Sequence, residues 1–308
     1  MTDSFPQWIL PLGTQVVTRT EIRDNRGTVV CPAGAVGKVV YSPFDSTHAH
    51  RVLLPDGREI ALHRKHLSIH KRGQRDDLAS EAPPDLDSVL QDRVIYRCIV
   101  GSQALGLAGE ASDVDRRGFY LPPADLHWSL FDLPGQLENK ENEECYWEIQ
   151  KFVLMALKAD PNTLECLYTP LVEFSTPIAD ELIAGRVAFL SKRIYQTYNG
   201  YVLSQVKRLE QDVRTSGAPR WKHAMHLIRL LLAGISALRK GEILVHVGEH
   251  RERLLAIKRG EVPWQELDAW RLSLHKDFDR AFAETSLPDR PDYEWANAFL
   301  IKARRSAL

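Results

Sequence analysis

Apolar and polar residues follow two different periods along the chain. Between residues 12 and 70 the runs are short and alternate: 15–22, 27–30, 36–41, 51–54 and 59–62 read as strands. Asn25-Arg26-Gly27, Pro32-Ala33-Gly34 and Pro55-Asp56-Gly57 separate them as turns. Strands this short and closely spaced predict a small all-β barrel over 1–72. A linker over 73–92 follows, stiffened by Pro83-Pro84, with a short helix over 86–90 that Asp85 would cap. Residues 94–100 form a β-branched and aromatic run that predicts a buried strand. A short helix over 103–108, a strand over 113–121 stopped by Pro122-Pro123, a connector over 125–142, a strand over 145–148 and a helix over 149–158 are expected next.

From Thr176 onward the period is helical. Apolar spacings of three and four predict helices over 178–189, 192–213, 221–240, 264–284 and 293–305, with a turn and helix over 241–258. The clearest is 221–240. Ala224, Leu227, Ile228, Leu231, Leu232, Ile235 and Leu238 share one face, while Lys222, His226 and Arg229 form a basic stripe on the other. Small residues Ala233, Ser236 and Ala237 continue that stripe. It is either an ordinary solvated face or one on which something packs closely. The pattern as a whole is α+β: a β module over 1–72, a mixed core over 93–175 and a helical lobe over 176–308.

Composition changes this picture little. The chain has 308 residues, 44% hydrophobic, with a formal net charge of −1. Bulk charge therefore predicts no nucleic-acid partner. Locally, His48, His50, Arg51, Arg58, His63, Arg64, Lys65, His66, His70, Lys71, Arg72 and Arg75 outnumber Asp56 and Glu59. That surface either docks nucleic acid or a partner, or is a solvated face. Its histidines have no cysteine at zinc spacing, which argues against a metal there. The four cysteines include no Cys-x-x-Cys pair, and mid-strand Cys98 reads as a buried thiol, as in a reducing cytoplasm. No apolar run reaches about 18 residues, so no membrane span is expected. Residues 1–10 carry Asp3 and lack a basic start and a long apolar core, so no signal peptide is expected.

Candidate chemistry gathers after the 94–100 strand. Gly101 allows close backbone approach to a ligand, and Ser102 adds a hydroxyl where main-chain N–H groups favour phosphate. Asp113 and Asp115 alternate with Val114, so in extended chain both carboxylates point to one side. Two carboxylates beside a phosphate cradle can hold Mg²⁺ against a triphosphate.

Gly101-Ser102 followed by Asp113-Val114-Asp115 resembles the signature of the polymerase-beta-like nucleotidyltransferase superfamily. The runs Gly101-Ser102-Gln103-Ala104-Leu105-Gly106-Leu107-Ala108 and Ser112-Asp113-Val114-Asp115-Arg116-Arg117-Gly118 are similar to a predicted nucleotidyltransferase family that includes RNA-ligase-associated members. The resemblance extends over about 94–300. It implies a nucleotidyltransferase α/β core with a mixed sheet, transferring NMP from an NTP, ATP first, to RNA, protein or a small molecule, with two Mg²⁺ ions or Mn²⁺. Asp113, Asp115 and a third carboxylate on the adjacent strand would hold the metal. Glu148 is the candidate by position, with Glu144 the rival of equal parity. Asp160-Pro161-Asn162-Thr163-Leu164-Glu165 is similar to the family's Asn-Pro-Asn-x-x-Glu run, with Asp160 in place of the first asparagine. There Glu165 orients a cation or accepts a structural hydrogen bond. Lys222-x-x-x-His226-x-x-Arg229 looks like a family motif whose basic residues approach the triphosphate or the acceptor, His226 as general base or hydrogen-bond donor. Ala33-Gly34-Ala35-Val36-Gly37-Lys38-Val39-Val40 is similar to SH3-like barrels. A catalytically silent module that senses nucleotide and binds nucleic acid or protein is the alternative.

Overall fold

The computed structural model describes residues 9–23, 27–43, 47–70, 86–110, 112–130, 132–139, 141–216 and 219–308. The chain divides into one unit comprising 1–84 with 130–132, and a second comprising 85–129 and 133–308. The first unit contains β1 (Gln15–Thr18), β2 (Ile22–Arg23), β3 (Val29–Cys31), β4 (Val36–Tyr41), β5 (His50–Leu53), β6 (Glu59–Leu62) and β7 (Leu67–Ile69). Its antiparallel sheet has the order β6-β5-β4-β1-β7, and β2 pairs with β3. Strand alternation turns Val16, Val39, Val52, Leu62 and Leu67 inward around Leu10. At Gly37 a Cβ would lie 2.4 Å from Val52 Cγ1, so only glycine lets β4 press onto β5 there.

The expected barrel does not close among the described residues. β6 and β7 are the sheet edges, and the β2–β3 ribbon pairs with itself instead of bridging them. The linker expected over 73–92 lies mostly outside the described residues, as does its Asp85 cap. Its described part includes α1 (Leu86–Gln91).

In the second unit, β8 (Val94–Ile99) leads through α2 (Gly101–Leu105) to β9 (Arg116–Tyr120). Then come α3 (Ala124–Trp128), β10 (Gln136–Asn139), β11 (Glu144–Glu148), α4 (Ile149–Leu157), α5 (Pro161–Tyr168) and β12 (Val172–Ser175). The sheet order is β10-β11-β9-β8-β12; β9 and β11 run parallel, and the other pairs are antiparallel. The mixed sheet expected for this core is present. One face, with Tyr96, Cys98, Phe119 and Trp147, joins the large core shared with the helices. The other, with Tyr120, Leu137 and Tyr146, encloses a smaller cluster around Leu90.

The remaining helices are α6 (Pro177–Ala184), α7 (Arg193–Ser216), α8 (Trp221–Lys240), α9 (Arg251–Arg259), α10 (Trp264–Glu284) and α11 (Tyr293–Arg305). α8 packs against α7, α9 and α10. Its predicted apolar face is buried except for the half-buried Ile235, and so are Arg229, Ala233 and Ala237 on the stripe side. Beside Leu227, Gly234 lets a neighbour close in: a Cβ there would meet the Phe278 ring at 2.8 Å. Among the described residues no helix is long and apolar enough to cross a membrane.

Candidate active site

β8 ends in a bend that brings the chain against the start of β9. Val100 N donates to Asp115 O at 3.0 Å. Gly101 follows with φ +64°, and a Cβ there would lie 2.3 Å from Asp115 Oδ2. The left-handed conformation and the missing side chain are both needed, because the Asp115 carboxylate occupies that space. Leu107 N then donates to Ser102 O at 2.9 Å, closing the short α2. Arg117 steadies the carboxylate: its Nη2 stands 3.4 Å from Asp115 Oδ1, and its Nη1 donates to Glu143 O at 2.7 Å.

A cavity of about 810 Å³ opens here. Gly101, Ser102, Asp113, Asp115, Arg117 and Glu143 line it from the sheet side, and Asn162 and Glu165 from α5. The helical lobe contributes Lys222, His223, His226 and Arg229 from α8 and Lys258 from α9. The sheet side thus supplies Asp113, Asp115 and Glu143 together with Arg117, and the helical lobe supplies Lys222, Arg229 and Lys258.

Arg229 is only 4% exposed and is held on two sides. Its Nη1 donates to the buried Glu165 carboxylate, and its Nη2 lies 3.0 Å from His226 Nδ1. A guanidinium has no lone pair to offer, so His226 Nδ1 must accept and Nε2 carries the hydrogen. Burial, followed by the charges of Arg229, His223 and Lys222, pushes the His226 pKa down to about 4. At neutral pH this imidazole is uncharged and donates through Nε2. The α5 helix that supplies Glu165 is fixed by Asp160, whose Oδ1 accepts from Thr163 N at 3.0 Å and whose Oδ2 accepts from Tyr201 Oη at 2.8 Å.

A family model of the RNA repair pathway DNA polymerase beta family matches residues 71–302. The chain belongs to that family. No curated protein matches the chain. The family match takes in every cavity residue and none of β1–β7.

In this member of the RNA repair pathway DNA polymerase beta family, Gly101, Ser102, Asp113, Asp115, Lys222, His226 and Arg229 meet at one cavity. Glu148 does not join them. It lies opposite Tyr120, at the far end of the parallel β9–β11 pair from Asp115. Its Oε2 caps α4, accepting from Gln150 N and Lys151 N at 2.9 and 3.1 Å, and its Oε1 pairs with Arg304 at 2.7 Å. Equal parity also removes Glu144, which pairs in register with Arg116. Tyr146, between them, belongs to the cluster on the face away from the cavity, whereas Trp147 lines the cavity.

Glu143 is the carboxylate that β11's side of the sheet offers, held at φ +52° just before the strand. It falls between the connector expected over 125–142 and the strand expected over 145–148, where no period assigns it a face. Lys258, at the end of the helix expected over 241–258, and His223, between two stripe positions, also line the cavity.

Among the described residues no group of three His, Cys, Asp or Glu is close enough to hold a metal ion by itself. Two carboxylates are nevertheless compatible with Mg²⁺, which commonly takes one or two and fills its shell with phosphate oxygens and water. Asp113 and Asp115, which line the same cavity, fit that habit.

Proposed function

We propose that the protein is a divalent-metal-dependent nucleotidyltransferase that moves NMP from an NTP to an acceptor hydroxyl and releases pyrophosphate. The observation that supports this reading is that Asp113 and Asp115 share one cavity with Lys222, His226 and Lys258 beside the Gly101-Ser102 bend. A triphosphate needs both kinds of group, one for its metal and one for its own negative charge.

Asp113 and Asp115 would hold Mg²⁺ or Mn²⁺, with Glu143 the nearest candidate for a third carboxylate. The bound ion would neutralise phosphate charge and lower the pKa of the attacking hydroxyl. Gly101 and Ser102 lie where the β and γ phosphates would rest. Lys222 and Lys258 offset charge on the departing pyrophosphate. Arg229, anchored by Glu165, fixes the His226 ring so that its Nε2–H donates to a phosphate oxygen and does not serve as a base. Leu107, Trp147 and Met225 give the cavity an apolar stretch suited to a base. ATP is the favoured donor, and the family's RNA repair description favours RNA as acceptor.

The test supplies each α-labelled NTP with Mg²⁺ to the full-length protein and offers RNA, protein and small-metabolite pools separately. Label entering RNA from ATP, with matching pyrophosphate, is the expected result. Saturable nucleotide binding without turnover in any pool would favour a silent sensing module instead.

A further inference from the structure

The reaction requires a proton acceptor, and a metal ion that polarises the hydroxyl does not take its proton. Most cavity groups are already committed. His226 Nδ1 faces Arg229, which leaves Nε2 protonated and without a lone pair. Glu165 is bound to Arg229. Asp113, Asp115 and, as candidate third carboxylate, Glu143 are the groups suited to the metal. His223 differs from all of them. It lines the cavity, and its Nδ1 lies 3.4 Å from Asp212 Oδ2, on the neighbouring helix α7. That distance is long for a hydrogen bond, as is common at acid–base sites without substrate. Asp212 is only 17% exposed and also meets Arg220 at 3.5 Å. At 3.4 Å the contact falls short of a hydrogen bond, but a carboxylate beside Nδ1 favours the hydrogen on that nitrogen and the lone pair on Nε2, on the opposite edge of the ring.

We infer that His223, oriented by Asp212, is the general base that takes the proton of the acceptor hydroxyl. The inference rests on the transferase reading above. The acceptor O–H bond breaks as its proton passes to His223 Nε2. The oxygen bonds to the α-phosphorus, and the α–β phosphoanhydride breaks with its electron pair leaving on pyrophosphate. Asp212 touches no reacting atom and is a positioning residue. The cavity also holds Asp113, Asp115, Glu143 and Glu165, but Asp212 is the carboxylate that stands at His223 Nδ1, with Arg220 on its other oxygen.

The experiment uses the full-length protein with ATP, Mg²⁺ and a single-stranded RNA oligonucleotide ending in a free 3′ hydroxyl, following pyrophosphate release. His223→Ala is expected to lower kcat about 10²-fold while KM for ATP stays within about twofold. Free imidazole is expected to restore at least about tenfold of that loss by supplying the missing lone pair. His223→Gln keeps bulk and polarity without a base; it should lose as much and gain nothing from imidazole. Asp212→Asn should lower kcat with the unfolding midpoint unchanged. A raised KM with kcat intact would make His223 a phosphate ligand and overturn the inference, as would equal rates or imidazole-insensitive loss. Wild-type protein that releases no pyrophosphate with this RNA or with the protein and small-metabolite pools would defeat the transferase reading and this inference with it; a wild-type rate matched by His223→Ala defeats the inference alone.

Discussion

Arg229 binds Glu165 on one side and His226 on the other, so a single buried cation orders two further cavity residues. Replacing it with alanine strands the Glu165 carboxylate in the core. Arg229→Ala should cost about 3–5 kcal/mol in urea unfolding, and Arg229→Ala with Glu165→Ala should cost less than the two changes summed. His226 makes a second prediction. Its folded pKa of about 4 lies below the 6.5 of a free imidazole, so the unfolded chain takes up the proton first. Stability is therefore full above about 6.5, falls as pH drops toward 4, and levels off below. His226→Gln should flatten that part of the melting-temperature profile; an unchanged slope would contradict the assigned environment. Asp113 and Asp115 stand out in the sequence by their spacing after Gly101-Ser102; both line the cavity, although the strand expected over 113–121 begins only at Arg116 and alternation does not fix their side. The Arg229–Glu165 contact was not legible, since 64 residues separate the partners and no local period links them.

At the scale of elements, β11 decides which acidic residues reach the cavity. Glu148 caps α4 and pairs with Arg304, while Glu143 lies on the cavity side. Glu148→Ala should lower stability by about 1–2 kcal/mol, measured by denaturation, with little change in KM for ATP. Glu143→Gln should do the reverse, lowering pyrophosphate release at nearly unchanged stability. Parity along a strand was readable, but its absolute face depends on the neighbour with which it pairs. Helices α8, α10 and α11 were readable to their ends, because long amphipathic periods carry their own signal. The edge strand β10 was taken for connector, since Leu137 is the one apolar residue in Gln136–Asn139. β7 is only three residues long and passed unnoticed for a similar reason. The barrel expected from strand spacing does not close among the described residues, because spacing predicts strands but not closure.

At the scale of the molecule, the two units have separate hydrophobic clusters, a small one in the β unit and a much larger one in the cavity-bearing unit. Calorimetry of the full chain should resolve two transitions, with ATP and Mg²⁺ raising only the one belonging to the larger unit. The family match over 71–302 assigns the polymerase-beta-like identity to that unit and leaves β1–β7 outside it. The basic residues of the β unit remain a candidate RNA surface, whose binding would weaken steeply with salt. In the proposed reaction Asp113 and Asp115, the latter set against Gly101, organise phosphoryl chemistry in this cavity. The most direct test of that role is AMP transfer from α-labelled ATP by the Asp115→Asn protein beside the wild type, with folding verified for both. The account predicts a loss of about 10²-fold or more with nucleotide still bound. Full transfer by Asp115→Asn would contradict it.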